Sequence, residues 1–273
     1  MPEMPEVEQV RKTLLPHIKD KTIKAVQVDL ARLIKYPQPQ AFIDGLVGSK
    51  ITDVGRRGKY LVLQIGDEKQ LIVHLRMTGS LVAQGSEAPA PAYAKIKFEL
   101  SDGVTMWFCD IRTFGTLYLV TNHDVYISGY ETLGPEPLSP GFTVDYLQNC
   151  VLKSKKPVKS LILEQTVIAG LGNIYADESL ILAGILPQRT ASTLTAEEVE
   201  KLHSAINSVI AKGIANRGTT FRDYKDGEGN KGDNQNSLLA YGRHGQPCKL
   251  CGTLLEKTKV GGRGTSYCPL CQK

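Results

Sequence analysis

The stretch CKLCGTLLEKTKVGGRGTSYCPLC, residues 248–271, carries the clearest structural signal in this chain. Two Cys-x-x-Cys pairs are separated by a segment long enough to form a hairpin. Two such knuckles place four thiolates in the tetrahedral arrangement that suits structural zinc, whereas four unrelated thiols are rarely spaced in this way. Because four protein ligands close the coordination sphere, we expect one non-catalytic Zn²⁺, held by Cys248, Cys251, Cys268 and Cys271.

Between the knuckles, VGGRGT (260–265) is typical of a tight hairpin tip that carries Arg263. Arg263 could be a solvated turn charge or a phosphate contact, and its place on a metal-braced basic hairpin favours the phosphate contact.

Charge is distributed unevenly along the 273 residues, whose net charge is +5. Residues 235–273 contain six Lys or Arg and a single acid, Glu256, so this segment carries +5 and the rest of the chain sums to zero. A compact basic module on a neutral body indicates a nucleic-acid partner.

No secretory signal is recognisable in MPEMPEVE, and no apolar run approaches the roughly 18 residues of a membrane span. We therefore expect a cytoplasmic protein.

In the chain before the cysteine-rich segment 248–271, the pattern of apolar residues predicts an α+β protein. Apolar residues at helical spacing predict a helix over residues 5–18. Short β-like runs follow at 22–28, 59–65, 70–75, 94–100, 105–109 and 115–120, which predicts a sandwich or barrel-like sheet. The Pro- and Gly-rich segment 131–141 is the expected linker. One helix is expected from Pro157 to about Gln165, a second is capped by Asn173 and ends near Gly184, and a third runs from the capping box Thr195-x-x-Glu198 to about residue 215. A polar loop over 217–237 follows.

Two further segments are candidates for chemistry. Ala169–Ile174 joins two helices through glycines, so it could bind a polyanion at a helix N-terminus or be a plain helix cap. At the chain start, removal of Met1 would leave Pro2 with a free secondary amine that can attack a sugar aldehyde carbon, with Glu3 and Glu6 placed to move protons. The alternative is that these residues are ordinary capping residues.

The whole pattern of motifs resembles the formamidopyrimidine-DNA glycosylases. The blocks stand in that family's order and span nearly the whole chain: Pro2–Glu8, Arg56–Tyr60, His74–Met77, Asp110–Gly115, Gly172–Glu178, Tyr241–Arg243 and the finger around Gly262–Thr265. The resemblance implies a bifunctional DNA glycosylase and abasic-site lyase that removes oxidised purines, 8-oxoguanine and formamidopyrimidines, from duplex DNA through an N-terminal proline Schiff base and β,δ-elimination.

The resemblance also implies roles for individual residues. Pro2 is the expected nucleophile and Glu3 a proton donor or relay, with Glu6 in support. Lys59 is expected to assist β-elimination and Arg263 δ-elimination.

The resemblance implies DNA contacts as well. His74 and Asn173 are expected to hold the DNA backbone. Met77, Arg112 and Phe114 are expected to fill the gap left by a flipped base, although Met77 and Phe114 could instead be core residues. Lys155 and Tyr93 complete the expected DNA-binding set; Tyr93-Ala94-Lys95 stands where the family often has His-x-His.

The expected organisation follows from these blocks: an N-terminal β-sandwich with flanking helices (1–130), a linker (131–141), a helix–two-turns–helix region with a lesion-covering loop (142–237) and the zinc finger (238–273). Duplex DNA is the expected partner of a monomer. Two alternatives remain at this point: an endonuclease VIII-like enzyme that prefers oxidised pyrimidines, and a non-catalytic zinc-ribbon DNA-binding protein. The first commonly has Gly-Pro in place of Met4-Pro5, and the second gives no reason for Pro2-Glu3.

Overall fold

The computed structural model describes residues 1–121 and 124–273. The chain divides into two compact units. The N-terminal unit comprises residues 1–131 and 216–233, and the C-terminal unit comprises residues 132–215 and 234–273. Each unit is described by itself below.

The N-terminal unit begins with helix α1, Met4–Ile18, in which Val7, Val10 and Leu14 form a buried stripe. Apolar residues three and four apart lie on one face of a helix, which is why this face packs into the core. Two further helices are α2 (Pro39–Leu46) and α3 (Ser128–Glu131). The strands are β1 (Ile23–Val28), β2 (Ile34–Tyr36), β3 (Ile51–Arg57), β4 (Tyr60–Ile65), β5 (Lys69–His74), β6 (Gly79–Gly85), β7 (Ala94–Leu100), β8 (Val104–Asp110) and β9 (Thr116–Thr121).

These strands form two sheets, ordered β1-β7-β8-β6 and β2-β9-β5-β4-β3. Side chains alternate between the faces of a strand, and the inward faces of both sheets contribute to one apolar core. Leu63 and Leu119 of the five-stranded sheet, Phe98 and Phe108 of the four-stranded sheet, and Leu14 of α1 all belong to it. The expected sandwich with flanking helices is confirmed.

The C-terminal unit contains four helices, α4 (Val144–Leu152), α5 (Val158–Ile162), α6 (Asn173–Ala183) and α7 (Ala196–Ala215). The reciprocal capping box is present before α7: the Thr195 N–H donates to Glu198 Oε2 at 2.8 Å, and the Glu198 N–H donates to Thr195 Oγ1 at 3.3 Å. Gly184 is the C-cap residue of α6, and its φ of 71° is left-handed, as a helix C-terminus commonly requires.

The finger is built on strands β10 (Glu256–Val260) and β11 (Arg263–Tyr267). They pair antiparallel, with Val260 opposite Arg263, so the connecting turn consists of Gly261 and Gly262 alone. Both glycines have positive φ, 54° and 78°, as a two-residue turn of type I′ demands.

Predicted and observed elements agree for α1 and for the strands expected from their apolar runs. Sequence reasoning missed β2, β3, β6, α2, α3 and α4. The expected helix from Pro157 to about Gln165 ends at Ile162, and Asn173 is the first residue of α6 rather than its cap, because Gly172 occupies the cap position. Most of the expected 217–237 loop lies in residues 216–233, which the structure groups with the N-terminal unit. Among the described residues, no helix is both long and apolar enough to cross a membrane.

Candidate functional sites in the two units

Pro2 and Glu3 are both buried, immediately ahead of α1. Glu3 is the N-cap residue, and its N–H donates to Glu6 Oε2 at 2.8 Å. Glu6 is 1% exposed, and its other oxygen accepts the Thr219 N–H at 2.7 Å. Glu6 therefore joins the start of α1 to the 216–233 segment, a contact between distant residues that the sequence did not reveal.

Lys59 lies in the tight turn between β3 and β4. Arg57 pairs with Tyr60, so Gly58 and Lys59 are the two turn residues, and Gly58 takes the positive φ of 56°. Lys59 is only 6% exposed although it lies in a turn. The turn is held by Arg56, whose Nη1 donates to the Gly58 carbonyl at 2.9 Å.

Arg56 is in turn bound by α1. Its Nε donates to Glu8 Oε2 at 3.1 Å, and Arg11 donates to the same carboxylate from Nη2 at 2.7 Å. Burial alone would raise the pKa of Glu8, but the hydrogen bonds and charges of Arg11 and Arg56 outweigh it and lower that pKa. Glu8 is consequently an anion that ties α1, which directly follows Pro2 and Glu3, to the turn that contains Lys59.

His74, at the end of β5, is 7% exposed and lies edge-on to Tyr60, with ring centroids 4.4 Å apart. Burial, with help from the charges of Arg76 and Lys59, lowers the pKa of His74 to about 3, so the ring is neutral at physiological pH. The Arg76 N–H donates to Nδ1 at 2.9 Å, which leaves the ring proton on Nε2. A neutral histidine in this tautomer can donate from Nε2 to a phosphate oxygen.

Met77, Arg112 and Phe114 lie together at the surface. Met77 is 43% and Phe114 52% exposed, which argues against the core-packing alternative. Arg112 Nη1 lies 3.1 Å from Met77 Sδ, and the guanidinium stacks over the Phe114 ring at 5.2 Å. The arrangement presents a cation and two apolar side chains as one exposed cluster.

Asp110 holds the loop that carries this cluster, a role that sequence reasoning missed. The carboxylate is 1% exposed; it accepts the Thr78 hydroxyl at 2.6 Å, the Arg112 N–H at 3.2 Å and the Gly115 N–H at 2.8 Å. Because several donors converge on one buried anion, the Arg112–Phe114 loop is fixed without a core of its own. Nearby, Tyr93 is 57% exposed and its carbonyl accepts the Asp110 N–H.

In the C-terminal unit, Asn173 and Arg263 belong to two elements that touch. Asn173 Nδ2 donates to the Gly264 carbonyl at 3.0 Å, and Gly264 directly follows the exposed Arg263. Lys155 is exposed in the segment between α4 and α5. Sequence reasoning missed Glu178, whose carboxylate accepts the N–H groups of Leu239, Ala240 and Tyr241 at 2.7–2.9 Å and so anchors the chain entering the finger.

The four finger cysteines converge, with one Sγ from each lying within 4.8 Å of the others. Cys248 and Cys268 are buried, and backbone N–H groups of Leu250 and Cys271 point at their sulfurs at 3.4 Å. Such N–H···S contacts stabilise thiolates, so the donor set fits one tetrahedral metal ion with sulfur ligands, for which zinc is the expected choice.

Three family profiles match successive parts of the chain: the formamidopyrimidine-DNA glycosylase N-terminal domain over residues 1–117, the H2TH domain of the same proteins over 133–225, and the zinc finger found in FPG and IleRS over 245–273. The formamidopyrimidine-DNA glycosylase of Pelotomaculum thermopropionicum is 44% identical over 100% of this chain and 99% of its own. Among solved structures, a Lactococcus lactis FPG variant in complex with DNA containing Fapy-dG aligns with a TM-score of 0.93 at 36% identity, covering both chains fully. A MutM protein in complex with DNA containing carbocyclic 8-oxo-G aligns at 0.92 and 37%, again over both full chains.

Proposed function

The chain belongs to the formamidopyrimidine-DNA glycosylase family, and from this premise we propose that it excises oxidised purines from duplex DNA and then cuts the strand as an abasic-site lyase. The substrates are 8-oxoguanine and formamidopyrimidines, the lesions in the DNA of the aligned complexes. The observation that carries the proposal is the buried Pro2-Glu3 pair at the start of α1, in a chain that matches this family from end to end.

The nucleophile is the secondary amine of Pro2 after removal of Met1. Before removal, that nitrogen is part of an amide whose lone pair is delocalised, so it cannot attack. The amine bonds to C1′ of the damaged nucleotide as the bond to the base breaks, and the base leaves with a proton. Opening of the sugar gives an iminium between Pro2 and C1′. Positive potential at the N-terminus of α1 favours the neutral, reactive amine.

Strand cleavage follows from the iminium, which acidifies the C2′ proton. Its removal breaks the C3′–O3′ bond in β-elimination, and a second elimination breaks the C5′–O5′ bond. Glu3 moves protons at the sugar, Lys59 assists the first elimination and Arg263 the second, and neither elimination requires a catalytic metal. Glu6, with both oxygens engaged by backbone N–H groups, supports the sequence by holding Glu3 in place.

The metal in the finger is structural. Cys248, Cys251, Cys268 and Cys271 would hold a zinc ion with no open position for substrate, and the ion would supply folding energy to the β10–β11 hairpin.

The exposed Met77, Arg112 and Phe114 cluster opens the duplex. A glycosylase cannot reach the glycosidic bond inside the stack, so it must extrude the nucleotide and fill the space left behind. Phe114 wedges the stack and Arg112 pairs with the orphaned cytosine. The DNA backbone is contacted by neutral His74 and by four further residues, Asn173, Arg263, Lys155 and Tyr93.

Borohydride reduction tests the covalent step. Purified protein is mixed with duplex containing 8-oxoguanine in the presence of borohydride, and the adduct is mapped by mass spectrometry. We expect reduction to trap the DNA on Pro2, and we expect a variant with a blocked N-terminus to give neither adduct nor cleavage. An adduct on Lys59 with Pro2 unmodified would overturn the nucleophile assignment, and the absence of any adduct would overturn the lyase.

Paired substrates test the lesion class. Single-turnover excision is compared on matched duplexes carrying 8-oxoguanine or an oxidised pyrimidine. The proposal requires faster release of the purine, whereas the endonuclease VIII-like alternative requires the opposite order. Gel filtration with DNA tests the remaining expectation, a monomer on one duplex.

A further inference from the structure

A lysine and an aspartate form a fully buried ion pair in the C-terminal unit. Lys159 of α5 is 0% exposed and Asp177 of α6 is 1% exposed, with Nζ 2.6 Å from Oδ1. Removing two charges from water carries a desolvation cost that their attraction often fails to recover, so such a pair is weak grounds for stability alone. The pair's other contacts indicate what it does.

The ammonium of Lys159 reaches the finger hairpin. Its Nζ donates to Thr265 Oγ1 at 2.7 Å and to the Gly264 carbonyl at 3.1 Å. The Thr265 hydroxyl in turn donates to the carbonyl of Arg263 at 3.1 Å. A continuous chain of hydrogen bonds therefore runs from the buried ammonium to the backbone of Arg263.

Two further contacts fix the same hairpin on the helices. Asp177 Oδ2 accepts the Ser266 N–H at 3.1 Å. The turn glycine Gly261 lies so close to α5 that a Cβ there would come within 2.5 Å of Ser160 Oγ. The backbone on both sides of Arg263 is thus held, while its side chain remains exposed.

The Gly264 carbonyl links Arg263 to Asn173. It accepts from Lys159 Nζ and, at 3.0 Å, from Asn173 Nδ2. Two residues proposed to contact phosphates are therefore tied through one carbonyl oxygen, and the buried ammonium is the common donor beneath them. Because Asp177 neutralises Lys159 in the interior, Lys159 is not itself a DNA-binding cation.

We propose that Lys159 is a positioning residue, which acts through Thr265 to fix the backbone of Arg263 beside Asn173 so that the Arg263 guanidinium meets the substrate phosphate during the second elimination. This inference rests on the proposed function, in which Arg263 assists δ-elimination. A purely structural pair would instead affect folding and every catalytic step alike.

Thr265→Val isolates the link, because valine keeps the shape and removes the hydroxyl that joins Lys159 to Arg263. Duplex with a preformed abasic site is cleaved under single-turnover conditions, and the β- and β,δ-products are separated on a gel. Since one hydrogen bond contributes about 1 kcal/mol, we expect the ratio of δ- to β-product to fall about three- to tenfold. Thr265→Ser, which restores the hydroxyl, should retain the ratio of the unmodified protein.

Three further measurements separate positioning from folding and from the proposed function. Zinc content and melting temperature should be nearly unchanged in Thr265→Val, and borohydride trapping should be unaffected because it precedes elimination. Should Thr265→Val fail to fold, Lys159→Met with Asp177→Asn removes both charges, keeps an acceptor for Ser266 and should shift the products in the same direction.

Arg263→Gln supplies the reference. If Arg263→Gln lowers the product ratio and both Thr265→Val and the charge-free double variant leave it intact, Lys159 does not position Arg263 and the inference is overturned while the proposed function stands. If Arg263→Gln itself leaves the ratio intact, the role of Arg263 in δ-elimination fails and the inference fails with it. Parallel losses of zinc, trapping and cleavage would assign the pair to folding alone, which also overturns the inference.

Discussion

The N-terminal unit and the zinc finger hold their functional residues by different means. In the N-terminal unit, Pro2, Lys59 and His74 are buried, and the unit has one apolar core to which both sheets and α1 contribute. In the finger, the apolar cluster is small: Ile181, Ala240 and Leu255 pack with the two buried cysteines Cys248 and Cys268. Hydrophobic burial scales with the apolar area removed from water, so a segment this small needs a metal or polar anchors to keep one conformation.

The largest expected effect removes the metal. Structural zinc contributes roughly 10–16 kcal/mol to the folding of small finger peptides. We expect Cys268→Ser, or a strong chelator, to release the β10–β11 hairpin and abolish measurable DNA affinity. Circular dichroism and a zinc assay, with DNA binding by fluorescence anisotropy, follow the change.

The N-terminal unit is the internal control for that experiment. Its strand signal and its thermal transition should persist without zinc, because all four finger cysteines lie in the C-terminal unit. Loss of both transitions together would break the contrast between the two units, and full DNA affinity in a zinc-free variant would exclude the finger from binding.

A cavity in the apolar core should produce the next largest effect. Leu63→Ala removes a side chain that is 0% exposed, and such changes cost about 2–5 kcal/mol of unfolding free energy. Zinc content should stay at one ion per chain. Val47→Ala, at a position 42% exposed, is the control and should cost less than about 0.5 kcal/mol. Equal destabilisation by the two changes would contradict an apolar-core origin of stability.

An intermediate effect concerns His74, whose folded-state pKa of about 3 lies below the usual 6.5. Between these pH values the unfolded chain binds a proton at His74 that the folded protein does not bind. The unfolding free energy that neutral His74 contributes above pH 6.5 is therefore lost as the pH falls. The loss is about 1.4 kcal/mol per pH unit, or about 2 kcal/mol from pH 6.5 to 5.

His74→Gln removes this titration. The difference in unfolding free energy between the variant and the unmodified protein should therefore shift by about 2 kcal/mol over that range in favour of the variant at low pH. Urea unfolding at several pH values measures it. A pH-independent difference would show that His74 is protonated as readily in the folded protein as in the unfolded chain.

Features written in a few neighbouring residues were predictable from the sequence. The Thr195–Glu198 capping box and the finger cysteines are local patterns, and the Gly261-Gly262 turn was predicted at the hairpin tip. Strand β3 was missed because Asp53 and Gly55 interrupt its apolar alternation, although its pairing with β4 holds it in the sheet.

Contacts between distant residues left no such signal. Lys159 precedes the apolar Leu161 and Ile162 in a short helix, and nothing nearby in sequence shows that its partners are Asp177 and Thr265. The chemistry of the residues made Pro2 a candidate nucleophile and Arg263 a candidate phosphate contact, whereas the elimination roles of Lys59 and Arg263 came from the family resemblance. The structure adds contacts that hold these residues, such as Arg56 on Gly58.

The smallest expected effect is that of an exposed charge pair in the 216–233 segment, measured against a backbone contact that holds the same segment. Gly227 is held on two sides: its N–H donates to Thr13 Oγ1 at 2.8 Å, and its carbonyl accepts the Ala83 N–H at 2.9 Å. One residue further on, Glu228 Oε1 lies 2.8 Å from His17 Nε2, but both side chains are more than two-fifths exposed. Exposed pairs contribute about 0–1 kcal/mol because water and salt screen them and two side chains lose freedom.

His17→Gln should therefore change the unfolding free energy by less than about 0.5 kcal/mol. Thr13→Val, which leaves the Gly227 N–H without its acceptor, should instead cost about 1–3 kcal/mol. Urea unfolding compares the two variants, and limited proteolysis within 216–233 reports whether the segment is released. A larger loss from His17→Gln than from Thr13→Val would mean that the surface pair, not the backbone contacts to α1 and β6, holds this segment in place.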